Sequence, residues 1–336
     1  QSERSKQGII SDNIGDIRVH RLAAGNLFVF AKLGQYGAFL RLLWHLFDQI
    51  NLVNYCRIRK VLKKSQPDLI WAHNLKGLGY ISTKLYRDNS AQYWQTIHDV
   101  QYFDPSGTII YQQPVNIFYK FVRFVYWQHN KLILRKPNLL ISPSQWLFDF
   151  YQQKKLFTKS DYIVIRNPLS FALSSDFKDD DTDVLNLLYI GQLEKHKGIL
   201  FLLDALMDVD FEWQLNIVGS GVLESELKRR ESKQVTVLGK VKNESIGQYL
   251  AMADLLVMPT LCYENSPTVI SEAHNNNCLV LASNIGGVGE MIKDGNNGWL
   301  FEPGNKFDLL EKLKAIKKTD LVSLREKMVK PNLSVK

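Results

Sequence analysis

Two rhythms of apolar and polar positions alternate along the chain. Short apolar runs recur, closed by Gly, Pro or a polar pair, and most are followed by a stretch with helical spacing. Runs of that kind read as buried strands. They fall at residues 66–74, 93–99, 139–144, 162–168, 185–190, 213–218, 235–239, 254–259 and 279–283, preceded by an alternating stretch at 17–22 that reads as the first clear strand. Helical spacing is read at 38–64, 76–88, within 105–148, from 145, from 199, at 243–252 and at 269–274. The longest of these carries Leu40, Leu43, Trp44, Phe47 and Ile50 on one stripe, read as core, and ends in Arg57, Arg59, Lys60, Lys63 and Lys64. A strand-helix alternation implies parallel sheets, with ligands bound beyond the carboxyl ends of the strands.

Residues 174–183 are polar and acidic without an apolar pattern, and read as a linker. The expected organisation is one α/β domain over 1–170, a linker over 171–184, a second α/β domain over 185–325 and a tail over 326–336. A length of 336 residues, with 45% hydrophobic and 23% charged, fits two globular domains with full cores. Cys56, Cys262 and Cys278 are far apart and show neither metal spacing nor a disulfide framework, which points to a reducing compartment. No apolar run approaches the roughly 18 residues of a membrane span.

Charge divides the chain more sharply than composition does. Residues 1–175 hold 23 Lys+Arg against 10 Asp+Glu, and residues 176–336 hold 19 against 24, so +13 and −5 give the net +8. A basic first half points to an anionic partner, or to a solvated basic surface. Residues 105–148 hold no acidic side chain, and Phe118, Tyr119, Phe121, Phe124, Tyr126 and Trp127 are interleaved there with Lys120, Arg123, Lys131, Arg135 and Lys136. The leading reading is a core helix with a basic edge. An anionic membrane surface docked through residues 115–136 comes second, and a single-stranded nucleic-acid platform third. No nucleic-acid-binding module is present.

Candidate chemistry concentrates at 262–273, Cys-Tyr-Glu-Asn-Ser-Pro-Thr-Val-Ile-Ser-Glu-Ala, a loop running into a helix. Ser266 is placed as the helix cap and Pro267 in the first turn. Glu264 stands in the loop and Glu272 in the helix, beside a helix N-terminus suited to a phosphate or sugar oxygen. Two acids at such a site make sense as acceptors for polyol hydroxyls. His73 and His98 each end a strand of the first half, and Lys197 ends the turn Gln192-Leu-Glu-Lys-His-Lys-Gly198. Gly219-Ser-Gly221 raises a dinucleotide reading. Glu224 occupies the third glycine place and no acidic strand end follows about 20 residues on, so NAD binding is rejected.

With these residues in hand, the chain resembles the retaining family 4 glycosyltransferases. The likeness rests on Glu264 and Glu272 with Glu-Asn-Ser-Pro before and Glu-Ala after, on Lys197-Gly198, and on the segments around Thr96-Ile-His-Asp99, Gly239 and 296–303. It runs nearly unbroken from Leu187 to about Ile316 and more sparsely over 66–170. The resemblance implies the GT-B fold, two Rossmann-like α/β domains whose parallel sheets face a central cleft. It implies transfer of a sugar from a UDP- or GDP-sugar to an acceptor hydroxyl with retention, in bacterial surface polysaccharide or glycolipid synthesis.

By the same resemblance Glu264, Lys197 and His98 are the catalytic group. Gln192, Glu272, Asn265, Ser266, Pro267, Thr268, Val269, Gly219, Gly239 and Lys240 bind the donor. Gln192 stands where the family has Arg. No Asp-x-Asp metal motif is read, and neither metal nor cofactor is expected, because cationic side chains serve the diphosphate. The expected partners are the nucleotide sugar, a glycan or lipid-linked acceptor and the membrane surface, but no nucleic acid. The expected location is cytoplasmic, peripheral at the inner face of the cell membrane. The family's earlier strand, its Gly-rich turn and its final helix are not read, so the chain is expected to be truncated. The alternatives are a non-catalytic nucleotide-sugar-binding relative and a nucleotide-sugar epimerase.

Overall fold

The computed structural model describes residues 8–23, 25–168, 183–316 and 318–328. Two compact units are resolved: one gathers the chain up to Thr108 with Pro114–Pro143 and Leu147–Ile165, the other Ile109–Gln113, Ser144–Trp146 and the chain from Arg166 onward. Most of the expected linker, and the tail beyond 328, lie outside the described residues.

The first unit opens with an antiparallel hairpin of β1 (Ile9–Ile14) and β2 (Ile17–Leu22). The strand at 17–22 was expected, but its partner was not: Ser11-Asp12-Asn13 breaks any apolar alternation in β1. The cross-strand ion pair Arg21–Asp12 belongs to that pairing. A separate parallel sheet, in the order β3 (Leu69–Ala72), β4 (Gln92–Thr96), β5 (Leu139–Ser142), β6 (Asp161–Val164), follows. β3 is not the buried strand read from its composition, since Leu69 and Trp71 are exposed.

The helices of this unit depart furthest from expectation. The stretch at 38–64 is two helices, α1 (Ala38–Gln49) and α2 (Leu52–Ser65), because Asn51 Oδ1 accepts from Asn54 N (3.0 Å) and caps a new start. Of the stripe read as core only Trp44 is buried, while Leu40, Phe47 and Ile50 are exposed. The polar side of α1 turns inward instead: Gln49 Nε2 donates to Asn130 Oδ1 (2.7 Å), and Asp48 Oδ2 accepts from Gly77 N (2.8 Å). At 76–88 only a short 3₁₀ turn and α3 (Thr83–Arg87) form, since Gly77 and Gly79 adopt positive φ ahead of them. α4 (Ile117–Ile133) buries only Tyr126, Asn130 and Ile133, so it is not the core helix ranked first. α5 (Gln145–Gln153) follows β5. The core here is rich in tyrosines, and their hydroxyls donate to carbonyls, as Tyr126 Oη does to Gln101 O (2.9 Å).

The second unit is a six-stranded parallel sheet of β7 (Leu185–Ile190), β8 (Trp213–Val218), β9 (Val235–Gly239), β10 (Leu255–Met258), β11 (Leu279–Ser283) and β12 (Gly298–Phe301). Its order is β12-β11-β10-β7-β8-β9, with the helices α6 (Ile199–Leu206), α7 (Glu224–Arg229), α8 (Asn243–Met252), α9 (Thr268–Asn275), α10 (Lys306–Ala315) and α11 (Lys318–Lys327). Successive strand residues serve opposite faces. Leu187, Ile217, Val257 and Leu281 pack with α6, α7, α10 and α11, and Leu188, Val218, Leu256 and Val280 pack with α8 and α9. Double coverage explains why these strands read as continuous apolar runs.

Candidate functional site

The carboxyl ends of the second sheet gather the residues singled out in this half. After β7 the chain turns through a 3₁₀ turn at Lys195–Lys197 into Gly198, which sits at φ 77° before α6. A Cβ on Gly198 would collide with the Pro259 carbonyl oxygen at the end of β10, so this turn needs glycine on two counts. The close approach carries Lys197 to the loop after β10, where its Nζ donates to Glu264 Oε1. Both side chains are about four-fifths shielded from solvent. Burial alone lowers the Lys197 ammonium, but the Glu264 carboxylate outweighs it and holds the group above the ordinary lysine value. Lys197 is therefore a fixed cation. Thr260 Oγ1 also reaches Glu264 Oε1 (3.5 Å), and Gly287 N donates to Glu264 O (2.8 Å).

The start of α9 differs from expectation in one detail. Pro267 occupies the cap position and no side chain caps the helix; Ser266, read as the cap, lies one residue before it, buried, with its carbonyl accepting from Asn167 Nδ2 (3.0 Å). Thr268 and Val269 form the first turn, and a Cβ on Gly287 would meet the Asn265 carbonyl. Glu272 lies in the next turn and is 5% exposed. Burial pushes its carboxyl above the ordinary glutamate value, opposed by a hydrogen bond from the Thr268 side chain. Gly219 N donates to Gly239 O (2.9 Å), joining the ends of β8 and β9, with Lys240 exposed just beyond.

Gln192 is exposed on the Lys197 turn, and its carbonyl accepts from Tyr189 Oη (2.8 Å). His196, on the same turn, faces Glu194 at 3.5 Å, and burial lowers its pKa. Against the expectation, the chain does contain Asp-x-Asp sequences: two overlap within residues 179–183, mostly outside the described residues, and the third is Asp208-Val209-Asp210. It precedes the amino end of β8, away from the strand ends that carry Lys197 and Glu264, and its acids pair with Lys306 and Lys314. Among the described residues no cluster of His, Cys, Asp and Glu could hold a metal.

His98 belongs to the first unit, at the carboxyl end of β4. Its Nε2 lies 3.2 Å from His73 Nδ1, and the two rings stack with centroids 5.5 Å apart. Burial first, and the His73 ring second, hold His98 below the ordinary histidine value, against the pull of Asp99. A surface cavity of about 710 Å³ in this unit, lined by Tyr55, Arg59, Lys63 and Asp88 among others, includes none of the predicted site residues.

Several neighbours of the second-unit site had no sequence signal. Ile110 bridges Cys262, Tyr111 N donates to Leu261 O (2.7 Å), and Tyr263 N donates to Ile109 O (3.0 Å), so a segment from 150 residues upstream braces the Glu264 loop. Trp146 stacks on Tyr263 with centroids 5.1 Å apart. The Glu290 carboxylate accepts from Gln145 N (2.9 Å) and Trp146 N (2.6 Å), all three residues belonging to the second unit. Only proximity in the fold reveals these pairings.

Residues 185–318 match the family described as glycosyl transferases group 1. An uncharacterised glycosyltransferase of Methanocaldococcus jannaschii is 30% identical over 130 residues, 38% of this chain and 36% of that protein. The capsular polysaccharide biosynthesis glycosyltransferase CapH of Staphylococcus aureus is 28% identical over 142 residues, 39% of this chain and 38% of that protein. The aligned stretch thus spans little more than a third of the length of these relatives. Among solved structures, Anabaena HepE in complex with UDP and glucose superposes with a TM-score of 0.62 at 19% identity, covering 84% of this chain and 76% of that one. That likeness concerns the fold alone, which is the GT-B fold of glycosyltransferases. The family match lies wholly within the second unit.

Proposed function

We propose that this chain transfers a sugar from a nucleoside diphosphate sugar to an acceptor hydroxyl, with retention of anomeric configuration. The observation that carries the reading is the pairing of Lys197 with Glu264 beside the start of α9, inside the matched domain. Bond cleavage at the anomeric carbon leaves charge on the departing diphosphate and on an oxocarbenium-like sugar. Lys197 and the N–H groups of the first turn of α9 stabilise the diphosphate in place of a metal ion. Glu264 accepts from sugar hydroxyls and stabilises the cationic sugar. Glu272 holds the ribose hydroxyls, and Gly219, Gly239 and Lys240 line the nucleotide. By the family resemblance His98, in the first unit, is a further candidate catalytic residue.

UDP is the leading donor nucleotide, by analogy with HepE, whose structure holds UDP and glucose. The acceptor is a glycan or lipid-linked glycan of bacterial surface polysaccharide, by analogy with CapH. Calorimetric titration with UDP, GDP and their sugar conjugates tests the reading, followed by turnover of whichever conjugate binds, with and without EDTA. Binding of one nucleotide, loss of that binding in Lys197→Ala, and EDTA-resistant turnover are expected. Absence of binding to every nucleotide would overturn it. Exposed Gln192, in place of a cation, favours a second reading, a nucleotide-sugar-binding protein without turnover. Tight binding with no transfer or hydrolysis would select it.

A further inference from the structure

In the first unit the carboxyl ends of β3 and β4 carry a chain of side-chain contacts that ends on two histidines. Trp71 of β3 donates from Nε1 to Thr96 Oγ1 (2.8 Å), the last residue of β4. The Trp71 ring lies against the His73 ring, with centroids 5.0 Å apart. The His73 carbonyl accepts from Nε2 of the buried Gln95 (2.9 Å). Backbone and ring of His73 are thus both held by neighbours that are themselves anchored in the sheet. From that position His73 Nδ1 faces His98 Nε2 at 3.2 Å.

A hydrogen bond between two imidazole nitrogens needs an N–H on one and a lone pair on the other. There are two ways to supply them here. If His98 donates, both rings carry their proton on Nε2, the form that a free histidine side chain favours. If His73 donates, both rings must carry it on Nδ1, the less favoured form. The contact therefore selects His98 Nε2–H as the donor and His73 Nδ1 as the acceptor, one nitrogen's bond setting the state of the other. Burial first, and the His73 ring second, keep His98 below the ordinary histidine value against the pull of Asp99, so its ring is mainly neutral at pH 7. In a neutral ring with its proton on Nε2, Nδ1 is the nitrogen that accepts.

Building on the reading of His98 as a catalytic residue, we propose that His73 is a positioning residue: it holds His98 in the Nε2–H form, so that His98 meets a sugar hydroxyl as an acceptor, through Nδ1. Proton–nitrogen correlation spectra of the full chain with nitrogen-labelled histidines, at about pH 8 and so above the histidine range, read the form directly. His98→Gln assigns the signal by its loss. The wild-type ring should show the Nε2–H pattern alone. His73→Leu removes the acceptor and should give an average of the two forms. His73→Asn, whose Oδ1 can take the same N–H, should restore the single pattern. Turnover of the sugar conjugate that binds should follow the spectra: kcat about tenfold lower in His73→Leu, the scale of one hydrogen bond, with KM for the donor unchanged and most of kcat recovered in His73→Asn. Circular dichroism should match across the variants, since His73 is exposed. An Nδ1–H pattern in the wild type, a His98 signal that ignores His73→Leu, a kcat that ignores it, or an asparagine variant no better than the leucine one would each overturn the proposal. A wild-type chain without turnover would instead sink the transfer reading, and the spectra alone would then decide whether His73 sets His98.

Discussion

Lys197 Nζ and Glu264 Oε1 are hydrogen-bonded across 67 residues of sequence, each the other's counterion. A nucleoside diphosphate arriving at Lys197 competes with that carboxylate. Glu264→Gln should therefore strengthen binding of the bare nucleoside diphosphate about fivefold, the scale of one partly shielded ion pair. The same change should reduce transfer about 100-fold, because the sugar cation loses its stabilising charge. Calorimetry and turnover on one sample check both. Weaker nucleotide binding in Glu264→Gln would remove the counterion account.

Glu272 gives donor binding a pH signature. Burial raises its carboxyl, so the carboxylate proposed to hold the ribose is lost, as pH falls, earlier than for an ordinary glutamate. Donor affinity should weaken with a midpoint above the usual glutamate range. Glu272→Gln should lower affinity about tenfold at neutral pH and flatten that dependence. An unchanged pH profile in the variant would assign the titration elsewhere.

His274 should make the second unit acid-sensitive. It is 3% exposed, its Nε2 lies 3.0 Å from the Asn297 carbonyl, and burial lowers its pKa to about 4, with Arg166 adding to the shift. Between the unfolded value of 6.5 and about 4 the unfolded chain takes up a proton that the folded chain refuses. Stability is thus lost as pH falls through that window, by up to ~3 kcal/mol from this group. Urea unfolding at pH 7 and pH 4.5 measures the loss, and His274→Gln should shrink it.

Arg325 ties α11 to the sheet. Its Nη2 donates to Ala253 O and Asp254 O (2.9 Å each) and pairs with Asp254 Oδ1 at 3.2 Å, both residues being buried. Arg325→Ala leaves the Asp254 charge buried without its counterion and should cost about 3–5 kcal/mol. Adding Asp254→Asn should recover part of that loss. Thermal unfolding of the single and double variants reads the coupling, and strict additivity would argue against it.

The sequence by itself determined the strands of the second unit. Leu255–Met258 and Leu279–Ser283 are buried at every position, so their apolar runs could mean little else, and Gly198, Gly219 and Gly286 stand in the turns after β7, β8 and β11. It also singled out Lys197, Glu264 and Glu272 as candidates, and the fold brings the first two into contact. In the first unit the same rules misled, because a periodic stripe shows that a helix has two sides without showing which one is covered. The stripe of α1 faces outward because Gln49 finds its partners on α4, at Asn130, 81 residues later. The partner of Gln145 N is Glu290, 145 residues away, and the brace on the Glu264 loop comes from Ile109 to Tyr111. Local sequence fixes periodicity and backbone preference, which depend on near neighbours. Which face is buried, and which charge meets which, depends on contacts between distant segments, and only the tertiary structure decided them.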